Sequence, residues 1–251
     1  MTDDTRNDTP QTAPMLGKLI VIEGIDGAGT TTQATQLVLA LLARNVHAVR
    51  THEPSIGPAG GLIRSLLRMG AQVDPEAMAL LFAADRLDHL AREVEPALAR
   101  GAVVVCDRYD LSTLTYQTAT HPKGKAILPW LRAINSRARR PDLTIVVDVP
   151  AELAEQRRSA RGQAAELFER RELQERLAGL YAESEVLSPG DRVVHIDGSR
   201  SQKDVAEVVL RYSLACIEGR LRTLQRPRPP TLEGAPQCPP EFFTVVGDDD
   251  V

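Results

Sequence analysis

Three glycines and a run of threonines fall at fixed spacing in Gly24-Ile25-Asp26-Gly27-Ala28-Gly29-Thr30-Thr31, followed by Thr32. The spacing fits G-x-x-x-x-G-K-[ST] at every fixed position except one. Between a strand and a helix, such a turn points several backbone N–H groups at an anion. The whole stretch, Gly24 to Thr32, is therefore a candidate cradle for the phosphates of a nucleotide. The hydroxyl of Thr31 stands where such loops bind Mg²⁺. The plainer reading is a tight strand-to-helix turn with no ligand. Thr30 occupies the lysine position, and its side chain is neutral and several bonds too short to reach a β- or γ-phosphate. Loss of one preorganised donor costs about 10²–10³ in rate. Nucleotide binding is expected of this loop; catalysis needs a cation from elsewhere.

Two further groups of residues bear on that need. Asp107-Arg108 closes an apolar run, where an open α/β sheet assembles its sites. The aspartate there can hold a water of a Mg²⁺ shell, and the arginine can clamp an acceptor phosphate bidentately. The second group is "RRSARGQAA", with Arg157, Arg158 and Arg161 among small residues. Its glycine and alanines suggest a mobile lid, about 157–170, whose arginines could supply the missing charge. The arginines further on, Arg170, Arg171 and Arg176, also read as a solvated helix face with i,i+4 ion pairs.

These groups need a scaffold, and the chain supplies a regular one. Apolar runs at 18–23, 102–107 and 142–149 read as buried strands, and 47–52 and 192–197 read as two more strands, with helical segments between them all. "DPEAMALLFAADRLDHLAREVEPALARG" reads as a helix opening on an Asp-Pro start signal. Such alternation means an α/β fold, a five-stranded parallel sheet flanked by helices. The expected folded domain spans 17–222. The polar segment 1–16 and the proline-rich, acidic segment 223–251 are expected to be disordered tails.

Composition narrows the classes of function. A net charge of −4 argues against a general nucleic-acid or membrane binder. No apolar run approaches the ~20 residues of a membrane span. The three cysteines, Cys106, Cys216 and Cys238, are too scattered for a disulfide framework or a metal cluster. A cytoplasmic protein is expected. Only four of the thirty basic residues are lysines, a bias that would explain arginine at position 30 but not threonine.

From about Lys18 to Leu214 the chain resembles the thymidylate kinase family of the bacterial kind, within the P-loop nucleoside-monophosphate kinases. The resemblance is carried by "EGIDGAGTTTQ", "EP" at 53–54, "IRSLL" at 63–67, "LLFAADRLDH" at 80–89, "DRYDLSTLTYQ" at 107–117 and "RPDLTIVVDV" at 140–149. It implies a P-loop NTPase fold, ATP and Mg²⁺ as cofactors, conversion of dTMP to dTDP, and a homodimer. It further implies that Asp26 lies near the acceptor sugar's 3′-hydroxyl and that Glu53 lies near the transferred phosphate. Phe82 would stack on thymine, Arg86 would read a base edge, and Arg64 and Arg108 would contact the acceptor phosphate. Ser112, Tyr116 and Gln117 would wall the base and sugar, with Phe168 and Gln174 near the acceptor. Lid arginines close over ATP in the bacterial enzymes, in keeping with Gly27, which leaves the loop without an arginine of its own.

The chain also departs from the family pattern. "HEPSIGP" replaces R-E-P-G-G-T, and "ELFE" (166–169) puts Leu167 where the lid of the family carries arginine. Thr30 and Leu167 keep open a nucleotide-binding pseudokinase that recruits partners through its tail. The altered second loop keeps open a kinase for another pyrimidine monophosphate.

Overall fold

The computed structural model describes residues 17–160 and 167–221, with backbone alone for 167–170. Five strands, β1 (Lys18–Glu23), β2 (Ala48–His52), β3 (Val103–Asp107), β4 (Leu143–Asp148) and β5 (Val193–Asp197), form one sheet in the order β2-β3-β1-β4-β5. Every neighbouring pair is parallel. The five segments read as strands in the sequence thus become the five strands of the sheet.

Both faces of the sheet are covered, and for that reason the central strands are apolar without alternation. Successive residues of β1 point to opposite faces. Ile20 and Ile22 join Val103, Val105, Leu37 and Leu41 in the larger core, which takes in α1 (Thr30–Leu42). Leu19 and Val21 join Val104, Cys106, Leu90 and Val94 in the smaller one.

The segment from Pro75 departs from a simple helix. Asp74 caps α3 (Pro75–His89) by accepting from the N–H groups of Glu76 and Ala77. The chain then widens into a π turn over Leu90–Val94 before α4 (Glu95–Ala99). Pro96 accounts for the widening. It has no N–H to offer the carbonyl four residues back, and its ring would collide with that carbonyl in a regular helix.

The remaining helices are α2 (Pro58–Arg68), α5 (Asp110–Thr120), α6 (Leu128–Ile134), α7 (Ala151–Ser159), α8 (Leu167–Ala182), α9 (Ser184–Leu187) and α10 (Gln202–Ile217). In the central pair, Ile22 lies opposite Asp107. The loops that follow β1 and β3 therefore leave adjacent strand ends, and the crevice between them is where such sheets bind ligands. The tails expected at 1–16 and 223–251, and the lid residues 161–166 with Arg161, lie outside the described residues.

Candidate active site

The glycine loop turns as its composition demands. Gly27 and Gly29 have φ of +96° and +97°, left-handed values that disfavour a side chain. At Gly27 space is also lacking: a Cβ there would meet the carbonyl oxygen of Ala154 on α7 at 2.4 Å. Helix α7 therefore sits directly on the loop, and no arginine could be carried at position 27 without moving it. The same helix brings its own cations to the loop. Arg158 Nη1 donates to the carbonyl of Asp26, and Arg157 Nη2 donates to the carbonyl of Gly198 at 2.9 Å. Gly29, Thr32, Arg157, Gly198, Arg200 and Gln202 line a cavity of about 330 Å³ beside the loop.

Thr30 is buried at the first position of α1. Its methyl carbon faces Gly24, where a Cβ would come within 3.4 Å of it. The next residue is oriented differently: Thr31 Oγ1 donates to Asp107 Oδ2 at 2.5 Å. The second oxygen of that carboxylate, Asp107 Oδ1, is buried with no hydrogen-bond partner. A hydroxyl and a half-satisfied carboxylate beside a phosphate cradle fit Mg²⁺, which leans on one or two protein oxygens and on substrate phosphates. Among the described residues, no group of three or more His, Cys, Asp or Glu stands ready to hold a metal.

Across the crevice lies a cavity of about 480 Å³. Asp26, Glu53, Phe82, Arg86, Arg108, Ser112, Tyr116 and Gln117, all singled out from the sequence, share its wall. Arg108 spans the gap between cavity and loop: Nη1 donates to the carbonyl of Gly24 at 2.9 Å, and Nη2 reaches Asp26 Oδ1 at 2.6 Å. The Arg108 guanidinium also lies 5.4 Å from the centroid of the Tyr116 ring. The backbone of Arg108 is left-handed, with φ +70°. For a residue other than glycine that costs about 1–3 kcal/mol and persists only where its surroundings enforce it.

Arg86 is more committed than its expected role suggests. It is 1% exposed and pairs with Glu53 Oε2 at 2.8 Å. Nη1 donates to Asn135 Oδ1, and Nη2 donates to Thr113 Oγ1 at 3.0 Å. Only Nε lacks a hydrogen-bond partner. Glu53 is met from its other side by His89 Nδ1 at 3.2 Å, and His89 Nε2 in turn lies 2.6 Å from Thr51 Oγ1.

The altered second loop is held as firmly. Ser55 donates to Asp85 from its N–H at 2.7 Å and from its hydroxyl at 2.6 Å. Arg64 folds back onto this loop, donating to the carbonyls of Pro54 (2.9 Å) and Ser55. Its guanidinium thus supports the loop. Gln174 is buried on α8, and its Oε1 has no hydrogen-bond partner. The side chain of Phe168 lies outside the described residues.

The sequence reading passed over Glu23. Its carboxylate is wholly buried, and burial pushes its pKa up to about 7, against the lowering pull of Ser112, Arg108, Tyr109 and Tyr181. Asn135, His89 and Tyr181 were passed over as well. Glu23 alone carried a signal, as a charged residue closing an apolar strand.

The thymidylate kinase family model matches residues 22–209. A probable thymidylate kinase of Pyrococcus abyssi is 43% identical over 168 residues, covering 65% of this chain and 80% of its own length. The thymidylate kinase of Dinoroseobacter shibae is 40% identical over 200 residues, 78% of this chain and 96% of its own. A probable thymidylate kinase of Pyrobaculum aerophilum is 39% identical over 197 residues, 76% and 96% of the two chains. A match over this much of the chain means that the chain belongs to the thymidylate kinase family.

Proposed function

We propose that this chain is a cytoplasmic, Mg²⁺-dependent, homodimeric kinase that transfers the γ-phosphoryl group of ATP to dTMP, giving ADP and dTDP. One juxtaposition carries the reading. The cavity walled by Phe82, Tyr116 and Gln117 opens onto Arg108, and the guanidinium of Arg108 already touches the phosphate loop at Gly24 and Asp26.

Catalysis of this kind is positioning and charge neutralisation, with no covalent enzyme intermediate. The amides of residues 24–32 cradle the phosphates of ATP, and Arg157 borders the rest of the donor. Thr31 and Asp107 hold Mg²⁺, which when bound neutralises charge on the phosphates. Arg108 grips the acceptor phosphate, while Asp26 faces the acceptor sugar. Phe82 stacks on the base, and Arg86, on the same wall, faces its edge. Ser112, Tyr116 and Gln117 shape the sugar pocket. Arg64 contributes through the loop it braces, which also carries Glu53. Gln174 and Phe168, both on α8, are further residues assigned to the acceptor. Arg158 on α7, with Arg161 beyond it, supplies the charge that Thr30 cannot.

Leu62 on α2 and Leu80 and Leu87 on α3 are exposed on two helices that pack together, and a second copy of the chain would cover them. Among the described residues no helix is long and apolar enough to cross a membrane. The function is tested by ADP release with dTMP, dUMP, dCMP and dGMP as acceptors. The expected result is highest kcat/KM with dTMP. Equal or better turnover of dCMP or dGMP would assign a different acceptor, and no turnover of any would assign a binding protein.

A further inference from the structure

Glu23 ends β1, and its carboxylate sits directly behind the turn that carries Arg108. All four of its hydrogen bonds come from that turn or from α8. Oε1 accepts from the backbone N–H groups of Tyr109 (2.8 Å) and Ser112 (3.1 Å). Oε2 accepts from the hydroxyls of Ser112 (2.5 Å) and Tyr181 (3.0 Å). Arg108 faces those same two hydroxyls, with Nη1 at 3.3 Å from Ser112 Oγ and 3.5 Å from Tyr181 OH. One buried group therefore fixes Arg108 twice: it holds the peptide that follows its left-handed backbone, and it polarises the hydroxyls that receive its guanidinium.

We propose that Glu23 is a positioning residue for phosphoryl transfer, holding Arg108 aimed at the acceptor phosphate through Ser112 and Tyr181. The inference rests on the reading of Arg108 as the clamp on that phosphate. Support comes from the cost of the arrangement. A carboxylate in a dry strand end is unfavourable unless its acceptor sites are filled, and here every filling group belongs to the turn of Arg108 or to Tyr181. An apolar residue at the end of β1 would serve the sheet alone at lower cost. Tyr181 extends the link to α8, so β1, α5 and α8 meet at this carboxylate.

The test is a double-mutant cycle read in acceptor kinetics at saturating ATP. Glu23→Gln keeps the size of the side chain but turns an NH₂ group toward donors. It should lower kcat/KM for dTMP by about 10- to 100-fold, the scale set by small misplacements of a catalytic group. KM for ATP should stay within about twofold, since uniform loss of binding is not involved. Arg108→Ala alone should lower kcat/KM for dTMP by about 10²–10³. Adding Glu23→Gln to Arg108→Ala should then cost less than about threefold, because the group through which Glu23 acts is gone. The same cycle with Tyr181→Phe, expected to cost about 3- to 10-fold alone by loss of one charge-assisted hydrogen bond, carries the test if Glu23→Gln does not fold. Equal factors with and without Arg108, or unchanged acceptor kinetics in the single variants at Glu23 and Tyr181, overturn the proposal. If Arg108→Ala itself leaves acceptor kinetics unchanged, the reading of Arg108 fails instead, and the proposal falls with it.

Discussion

The two sides of the crevice are built on different principles. On the acceptor side, charged groups are buried and bound to one another before any substrate arrives. Arg86 is locked between Glu53, Asn135 and Thr113, and Asp85 holds Ser55 twice. On the donor side, the loop offers backbone amides, and two of the cations beside it, Arg157 and Arg158, come from α7 and rest on carbonyl oxygens. The proposed acceptor pocket is thus held by buried contacts between residues far apart in the sequence. The donor site draws Arg157 and Arg158 from one docked helix. Errors in the first should damage fold and recognition together, while errors in the second should damage rate alone.

The sharpest break of that contrast is Arg86→Ala. It leaves Glu53 buried opposite an empty space, and removal of one partner from a buried pair costs about 3–5 kcal/mol. Chemical denaturation should register a loss of that order, with acceptor turnover lost as well; an unchanged midpoint would mean that the pair is not formed. Arg158→Ala should do the reverse. The expectation is a fall in kcat of about 10²-fold with stability unchanged, and the same for Arg161→Ala. Nucleotide affinity should fall much less, as isothermal calorimetry would show, because backbone amides and Thr31 still hold the phosphates.

A pH series separates the buried network from its surroundings. With its pKa raised from 4.5 to about 7, Glu23 binds a proton more tightly in the folded than in the unfolded chain. Its contribution to stability is therefore fully present below about 4.5 and is lost as pH rises through about 7. Denaturation midpoints taken at both ends of that window should differ in the wild type, and the difference should shrink in Glu23→Gln. Thr30→Lys is expected to have the smallest effect. Thr30 is buried against Gly24, so a new lysine beside an arginine-served site should change kcat by no more than about threefold, well short of the effect of a lone phosphate donor. Rescue from near zero would instead mark a disabled kinase.

The parts of this molecule that can be read from sequence are local. The strands announce themselves by apolar runs, and the loop by glycines at fixed spacing. The need of a metal for a hydroxyl and a carboxylate points to Thr31 and Asp107, and the structure brings them together. The wall residues Phe82, Tyr116 and Gln117 were reached through the family resemblance and share one cavity. What could not be read was which charged groups hold one another. Glu23 looks like the last residue of a strand; its partner Tyr181 is 158 residues away. Arg86 looks free to meet a ligand, yet Asn135, 49 residues on, takes one of its donors. The π turn escaped notice because its cause, Pro96, lies beyond the turn itself.

The contact between Gly27 and Ala154 sets a rule of exclusion for this loop. The space that an arginine at position 27 would need is already filled by the backbone of the helix that delivers Arg158. The two ways of charging the site cannot coexist here. Gly27→Arg would evict α7 and lose one cation while gaining another.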